Sequence, residues 1–140
     1  MSIEENKAIV RSFIEGLRHD LAAIDELCTL NFTAHLPGFP GPADRDTFKN
    51  FASMFYNALP DLQHTVEAQI AENNMVVSRV TVRGTHQGPF QGIRPTGKQV
   101  EITDIIIMRL ENGRAVELWA QFDVLGLLQQ LGVTILRESP

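Results

Sequence analysis

Two acids stand where a proton-transfer group would be useful. Asp104 and Asp123 both sit among apolar, β-prone residues, in Thr103-Asp104-Ile105-Ile106-Ile107 and Trp119-Ala120-Gln121-Phe122-Asp123. A carboxylate buried among such groups loses hydration in its charged form. Its pKa then rises toward the range where it can take and return a proton near neutral pH. For Asp123 a structural role competes on equal terms, because it directly precedes a short helical pattern from Val124 to Leu131. An acid in that position accepts hydrogen bonds from unpaired backbone amides of the first turn. Asp104 is the weaker of the two: a contact with Gln121 or a backbone amide would account for it. Tyr56, or Asp104 in its protonated form, could stabilise an enolate oxygen, as neutral donors do in ketosteroid isomerase. Trp119 serves either as core or as a platform for a ligand. His35 and His86 read more simply as loop or structural histidines than as catalysts.

Other chemistries fail on spacing. Gly92-Ile93-Arg94-Pro95-Thr96-Gly97-Lys98 carries the glycines and lysine of a phosphate loop, but Gln99 replaces the hydroxyl residue that would hold magnesium. A strand pattern follows it, not a helix whose N-terminus could bind phosphate. The histidines His19, His35, His64 and His86 are too far apart in sequence for metal-ligand spacing. No Gly-x-Ser-x-Gly is present for a serine nucleophile. Cys28, between Leu27 and Leu30 in what reads as a helical context, is most simply a core residue.

The elements that must position these residues divide into two halves. Ser2 and Glu5 form a capping-box pattern, and Ile9, Val10, Phe13, Ile14 and Leu17 recur on one helical face. A short second helix carries Leu21, Ile24 and Leu27. After the loop Phe39-Pro40-Gly41-Pro42, Asp44 or Asp46 can cap a third helix bearing Phe48, Phe51, Ala52, Phe55 and Leu59. Strand patterns follow over 62–72, 75–86, 98–110 and 114–123, with turns at Asn73-Asn74 and Asn112-Gly113. Helices followed by a strand meander predict an α+β fold.

The Asn112-Gly113 turn sets an expected register. Pairing Glu111 with Arg114 places Ile106 opposite Trp119 and Asp104 opposite Gln121. Asp104, Ile106, Trp119, Gln121 and Asp123 would then share one face. Ile105, Ile107, Leu118, Ala120 and Phe122 would share the other. Two apolar faces predict helices on one side and a second subunit on the other. The Gly- and Pro-rich loop Gln87–Gly97, with His86 at its hinge, is expected to gate a pocket.

The 140 residues suit one domain, and 44% hydrophobic with 21% charged residues is an ordinary globular balance. A net charge of −5, from 12 basic and 17 acidic residues, offers no footprint for nucleic acid. The N-terminus lacks the apolar run of a signal peptide, and Ile105-Ile106-Ile107-Met108 is too short to span a bilayer. One cysteine precludes an intramolecular disulfide and fits a reducing compartment. These features predict a soluble cytoplasmic protein.

Several segments together resemble the SnoaL-like polyketide cyclase (ester cyclase) family. They are Gly84-Thr85-His86-Gln87-Gly88, Pro95-Thr96-Gly97-Lys98, Glu111-Asn112-Gly113-Arg114, Glu117-Leu118-Trp119, Asp123 and Gln130-Leu131-Gly132. The resemblance covers nearly the whole chain. It implies a cone-shaped, curved antiparallel sheet wrapped around N-terminal helices, of the nuclear transport factor 2-like type, enclosing an apolar pocket for a small hydrophobic ligand. It also implies a homodimer or a dimer of dimers packed through the outer sheet face, no cofactor or metal, and an aspartate at Asp123 acting as acid/base in an aldol ring closure. The chain departs from the cyclases at Ile106, where they carry a histidine, and at Phe51, which matches a helix-borne asparagine. The function expected is cofactor-free acid/base chemistry by Asp123 on a small hydrophobic carbonyl compound, in a pocket lined by Trp119, Gln121, Asp104, Ile106, His35, His86, Tyr56 and Phe51; the alternative is a non-catalytic small-molecule-binding or dimeric accessory protein of the same fold.

Overall fold

The computed structural model describes residues 1–133. Its elements run α1 (Ile3–Gly16), α2 (Ala22–Leu27), β1 (Cys28–His35), β2 (Ala43–Asp44), α3 (Arg45–Ala58), β3 (Gln63–Glu72), β4 (Met75–Thr85), β5 (Gln99–Glu111), β6 (Arg114–Phe122) and α4 (Val124–Gln130). The six strands form one curved, open sheet in the order β2-β1-β6-β5-β4-β3. The expected α+β architecture is present. One detail differs from a purely antiparallel sheet: β1 pairs with β6 in parallel. The helical reading around Cys28 is also corrected. The thiol is buried in the core, but at the start of a strand.

Local chemistry accounts for the helix starts. The Ser2 hydroxyl accepts from the Glu5 amide at 3.0 Å, and the Glu5 carboxylate accepts from the Ser2 amide at 3.2 Å, a closed capping box. Asp44 caps α3 by accepting from the Thr47 amide at 2.8 Å. Both helices turn aromatic and aliphatic faces onto the sheet: Val10, Phe13 and Ile14 from α1, Phe48 and Tyr56 from α3.

The β5–β6 register departs from the expected one within a few residues of the turn. Glu111↔Arg114 and Leu110↔Ala115 pair as the two-residue loop dictates. Then Arg109 pairs with Glu117, leaving Val116 as an extra residue on β6. Such a bulge turns every later side chain of the strand to the opposite face. Asp104, Ile106 and Met108 therefore share the concave face with Leu118, Ala120 and Phe122. Trp119 and Gln121 go with Ile105 and Ile107 on the outer face. A second irregularity, between Val66 and Ala68 on β3, does the same work one hairpin earlier and leaves Val66↔Val80 and His64↔Val82 facing inward.

Candidate functional site

A cavity of about 100 Å³ lies between the concave face of the sheet and helices α1 and α3. Its walls are almost wholly apolar, with Phe51, Phe55 and Phe122 grouped in edge and tilted ring contacts at centroid distances of 5.1–6.2 Å. Among the described residues, only Asp104, His64 and Tyr56 bring polar side-chain atoms to the lining.

Asp104 is 8% exposed. Its cross-strand neighbours are Val80 and Phe122, and Ile102 and Ile106 flank it along the same face of β5. Among the described residues nothing donates to its buried Oδ1. Burial pushes its pKa up from 3.8 to about 6, and among the described residues no cation offsets the effect. His64 lies on β3 in the row His64–Val82–Ile102, so it is two strands from β5 and one step along the face from Asp104. Burial alone pushes its pKa down from 6.5 to about 4, which keeps the imidazole neutral near neutral pH. The Tyr56 hydroxyl donates to the Leu17 carbonyl at 3.0 Å, and burial raises its pKa to about 12. Its proton is thus committed to α1 and is not free to stabilise an oxyanion.

The residues singled out in the sequence separate into three places. Asp104, Ile106, Tyr56 and Phe51 line the cavity. Trp119, Gln121 and His35 are on or beside the outer face. There His35 stacks on Trp119 at 5.1 Å and 11°, and its Nε2 lies 2.7 Å from Glu117 Oε2. Glu117 also accepts from Arg109 at 3.2 Å, and these partners hold its carboxyl below the usual range, His35 first. Asp123 is exposed and absent from the cavity lining. Its Oδ1 accepts from the Gly126 amide at 2.8 Å, capping α4. The placement of Asp123 beside Asp104 and Ile106 is therefore corrected: the Val116 bulge and the cap carry its carboxylate away from the pocket.

His86 is fully buried but outside the cavity lining. Its Nδ1 accepts from the Thr96 amide at 3.1 Å, and its backbone bonds Lys98 and Gly97, so it pins the base of the 87–97 loop. The loop reaches the cavity indirectly, through Phe90 packed on Phe55 at 5.4 Å. His64 went unrecognised in the sequence. A simple two-residue register from Asn73-Asn74 pairs it with Arg83 and turns it outward, and only the β3 bulge brings it in. Among the described residues no three His, Cys, Asp or Glu side chains gather as a metal site requires.

Residues 7–131 match the family model of the SnoaL-like polyketide cyclases, and the chain belongs to that family. Among solved structures it is similar to AclR, a candidate hydroxylase of Streptomyces galilaeus: 30% identity, TM-score 0.84, covering 94% of this chain and 98% of AclR. It is also similar to IdmH, a candidate polyketide cyclase of Streptomyces antibioticus: 31% identity, TM-score 0.78, covering 95% of this chain and all of IdmH. A SnoaL-like protein of Jannaschia sp. CCS1 shares the fold at 20% identity and TM-score 0.85, over 96% of this chain and 97% of that one. Among curated proteins none matches the chain. Relatives of one fold thus carry different assigned chemistries, and the reaction has to be argued from the site.

Proposed function

We propose that this chain performs cofactor-free acid/base chemistry on a small, hydrophobic, carbonyl-bearing compound, with Asp104 taking and returning the proton. One observation carries the reading: a carboxyl with a buried oxygen that has no partner among the described residues lines an almost wholly apolar cavity. Its pKa near 6 leaves it mostly ionised yet basic at neutral pH, as a general base should be. The α-C–H bond of the substrate breaks, its proton goes to Asp104, and the electron pair moves into the carbonyl to give an enolate. The enolate carbon then attacks a second carbonyl, closing a ring, or is reprotonated at another position, giving an isomer. Asp104 returns the proton, so no external oxidant or cofactor enters the balance.

This reading moves the acid/base role from Asp123 to Asp104. A non-catalytic binding role is favoured by the scarcity of polar groups in the cavity: three side chains against a wall of Phe, Leu, Ile, Val and Ala. Deuterium exchange separates the two. Incubating the protein with 2-tetralone in D2O and following the α-proton signals should show catalysed exchange. Asp104→Asn should slow it by about 100-fold or more, and Asp123→Asn should leave it in place. Binding of 2-tetralone without any exchange would favour the binder.

We further propose a homodimer through the outer face of the sheet, in a cytoplasmic setting that keeps the single thiol reduced. The Val116 bulge removes Leu118, Ala120 and Phe122 from that face. What remains is a cross-strand row of Ile70, Val77, Ile107 and Trp119, ending on His35, with Ile105 alongside. Ile70 is 73% exposed and Ile105 37%.

A further inference from the structure

We infer that His64 is a second catalytic group of this cavity, its ring N–H hydrogen-bonding the substrate's carbonyl oxygen while Asp104 holds the α-proton. The inference rests on the Asp104 reading and extends it. A base alone does not make an enolate: the negative charge that develops on oxygen needs a donor placed in advance, in a site dry enough for the hydrogen bond to count. Among the described residues the cavity wall offers three polar side chains. Asp104 is the base. Tyr56 spends its hydroxyl proton on the Leu17 carbonyl. His64 is left as the side-chain donor.

Its position suits the task. His64 and Asp104 line one cavity from the same concave face, on strands separated by β4. That spacing is roughly 10 Å between backbones, so a small molecule lying on this face can contact both side chains. The Tyr56 ring lies 6.5 Å from the imidazole and is its aromatic neighbour. A neutral imidazole is the appropriate electrophile for an enolate: it keeps one N–H to donate and does not form an ion pair with the base, the arrangement known from triosephosphate isomerase. The bond changes balance. The C–H electron pair moves to oxygen, the proton rests on Asp104, and His64 donates a hydrogen bond without transferring its proton. The substrate these groups suit is a neutral ketone, since among the described residues no Lys or Arg lines the cavity to receive a carboxylate.

Two probes test this: 2-tetralone as substrate, and 2-naphthol as a stable mimic of its enol. His64→Phe should lower kcat for α-proton exchange by about 100-fold, the usual loss for one oxyanion donor, while KM for 2-tetralone stays nearly unchanged. His64→Gln, which restores an N–H, should recover part of the rate. Binding of 2-naphthol should shift the His64 ring 15N resonances in the wild-type protein, a readout independent of turnover and of how the variants fold. Exchange undiminished in His64→Phe but abolished in Asp104→Asn would overturn the role of His64 and leave Asp104 standing. Exchange undiminished in Asp104→Asn would overturn the underlying reading. If 2-naphthol binds and the His64 resonances stay still, the inference is wrong even where no turnover is seen. If 2-naphthol does not bind at all, the pocket assignment falls and His64 with it.

Discussion

Asp104 is held in a place that is poor for stability and useful for chemistry. In the unfolded chain its carboxyl titrates near 3.8, and in the fold at about 6, because burial disfavours the charged form. The folded state binds this proton more tightly. The stability it contributes is complete below pH 3.8 and is lost as pH rises through 6. The difference corresponds to about 3 kcal/mol. Asp104→Asn should therefore raise the melting temperature at pH 7.5 and change it little at pH 4; equal effects at both would contradict the burial argument. His64 runs the other way. Its pKa falls from 6.5 to about 4, so its contribution is present above 6.5 and is lost as pH falls through 4. The two slopes oppose each other between pH 4 and 6. Asp104→Asn should uncover the His64 slope there, seen as stability that increases with pH across that interval. Asp123 belongs to a different account. Asp123→Ala should cost about 0.5–2 kcal/mol through the lost cap, measured by denaturant melts, with the cavity's ligand affinity unchanged.

At the scale of elements, two single-residue bulges decide which residues meet. Asn-Gly and Asn-Asn turns mark both hairpins in the sequence, and the β-branched runs mark β3 to β6. The extra residues, Val116 on β6 and one between Val66 and Ala68 on β3, left no mark in composition. Either assignment of faces looked acceptable because β5 and β6 are apolar on both sides. The pattern alone therefore groups Asp104 and Ile106 with Trp119 and Asp123, and nothing in it turns His64 inward. β1 was missed for a related reason: Cys28–His35 is a short strand directly after a helix, and tertiary pairing with β6 overrides its weak local preference. Deleting Val116 should turn Leu118, Ala120 and Phe122 outward, and the protein should lose cooperative melting; a variant as stable as the wild type would refute the role given to the bulge. The 87–97 loop is fixed at its base. The Gln87 and Gly88 amides donate to the Ala58 carbonyl at 3.1 and 3.0 Å, and a Cβ on Gly88 would press into the Asn57 carbonyl. Any gating must therefore come from its tip, where Phe90 leans on Phe55. Phe90→Leu should speed both association and dissociation of 2-naphthol in stopped-flow fluorescence, and unchanged rates would rule the gate out.

For the molecule as a whole, the pattern of helices followed by a strand meander, together with the family segments, was enough to fix the architecture, because those signals are spread along the entire chain. Whether the outer face is covered is a question of area. A row of Ile70, Val77, Ile107 and Trp119 with Ile105 beside it is an apolar strip of the kind that monomers seldom leave open. Sedimentation equilibrium should show a dimer, and Ile107→Lys should shift it toward monomer without altering the titration of Asp104. A monomer at all concentrations would sink the interface.

The central claim, that Asp104 is a desolvated carboxyl in a ligand cavity, is tested most directly by following its side-chain carboxyl 13C resonance against pH, with and without 2-naphthol. The predicted result is a midpoint near 6 in the free protein, displaced when the probe is bound. A midpoint at or below 3.8, or one indifferent to the probe, would contradict it.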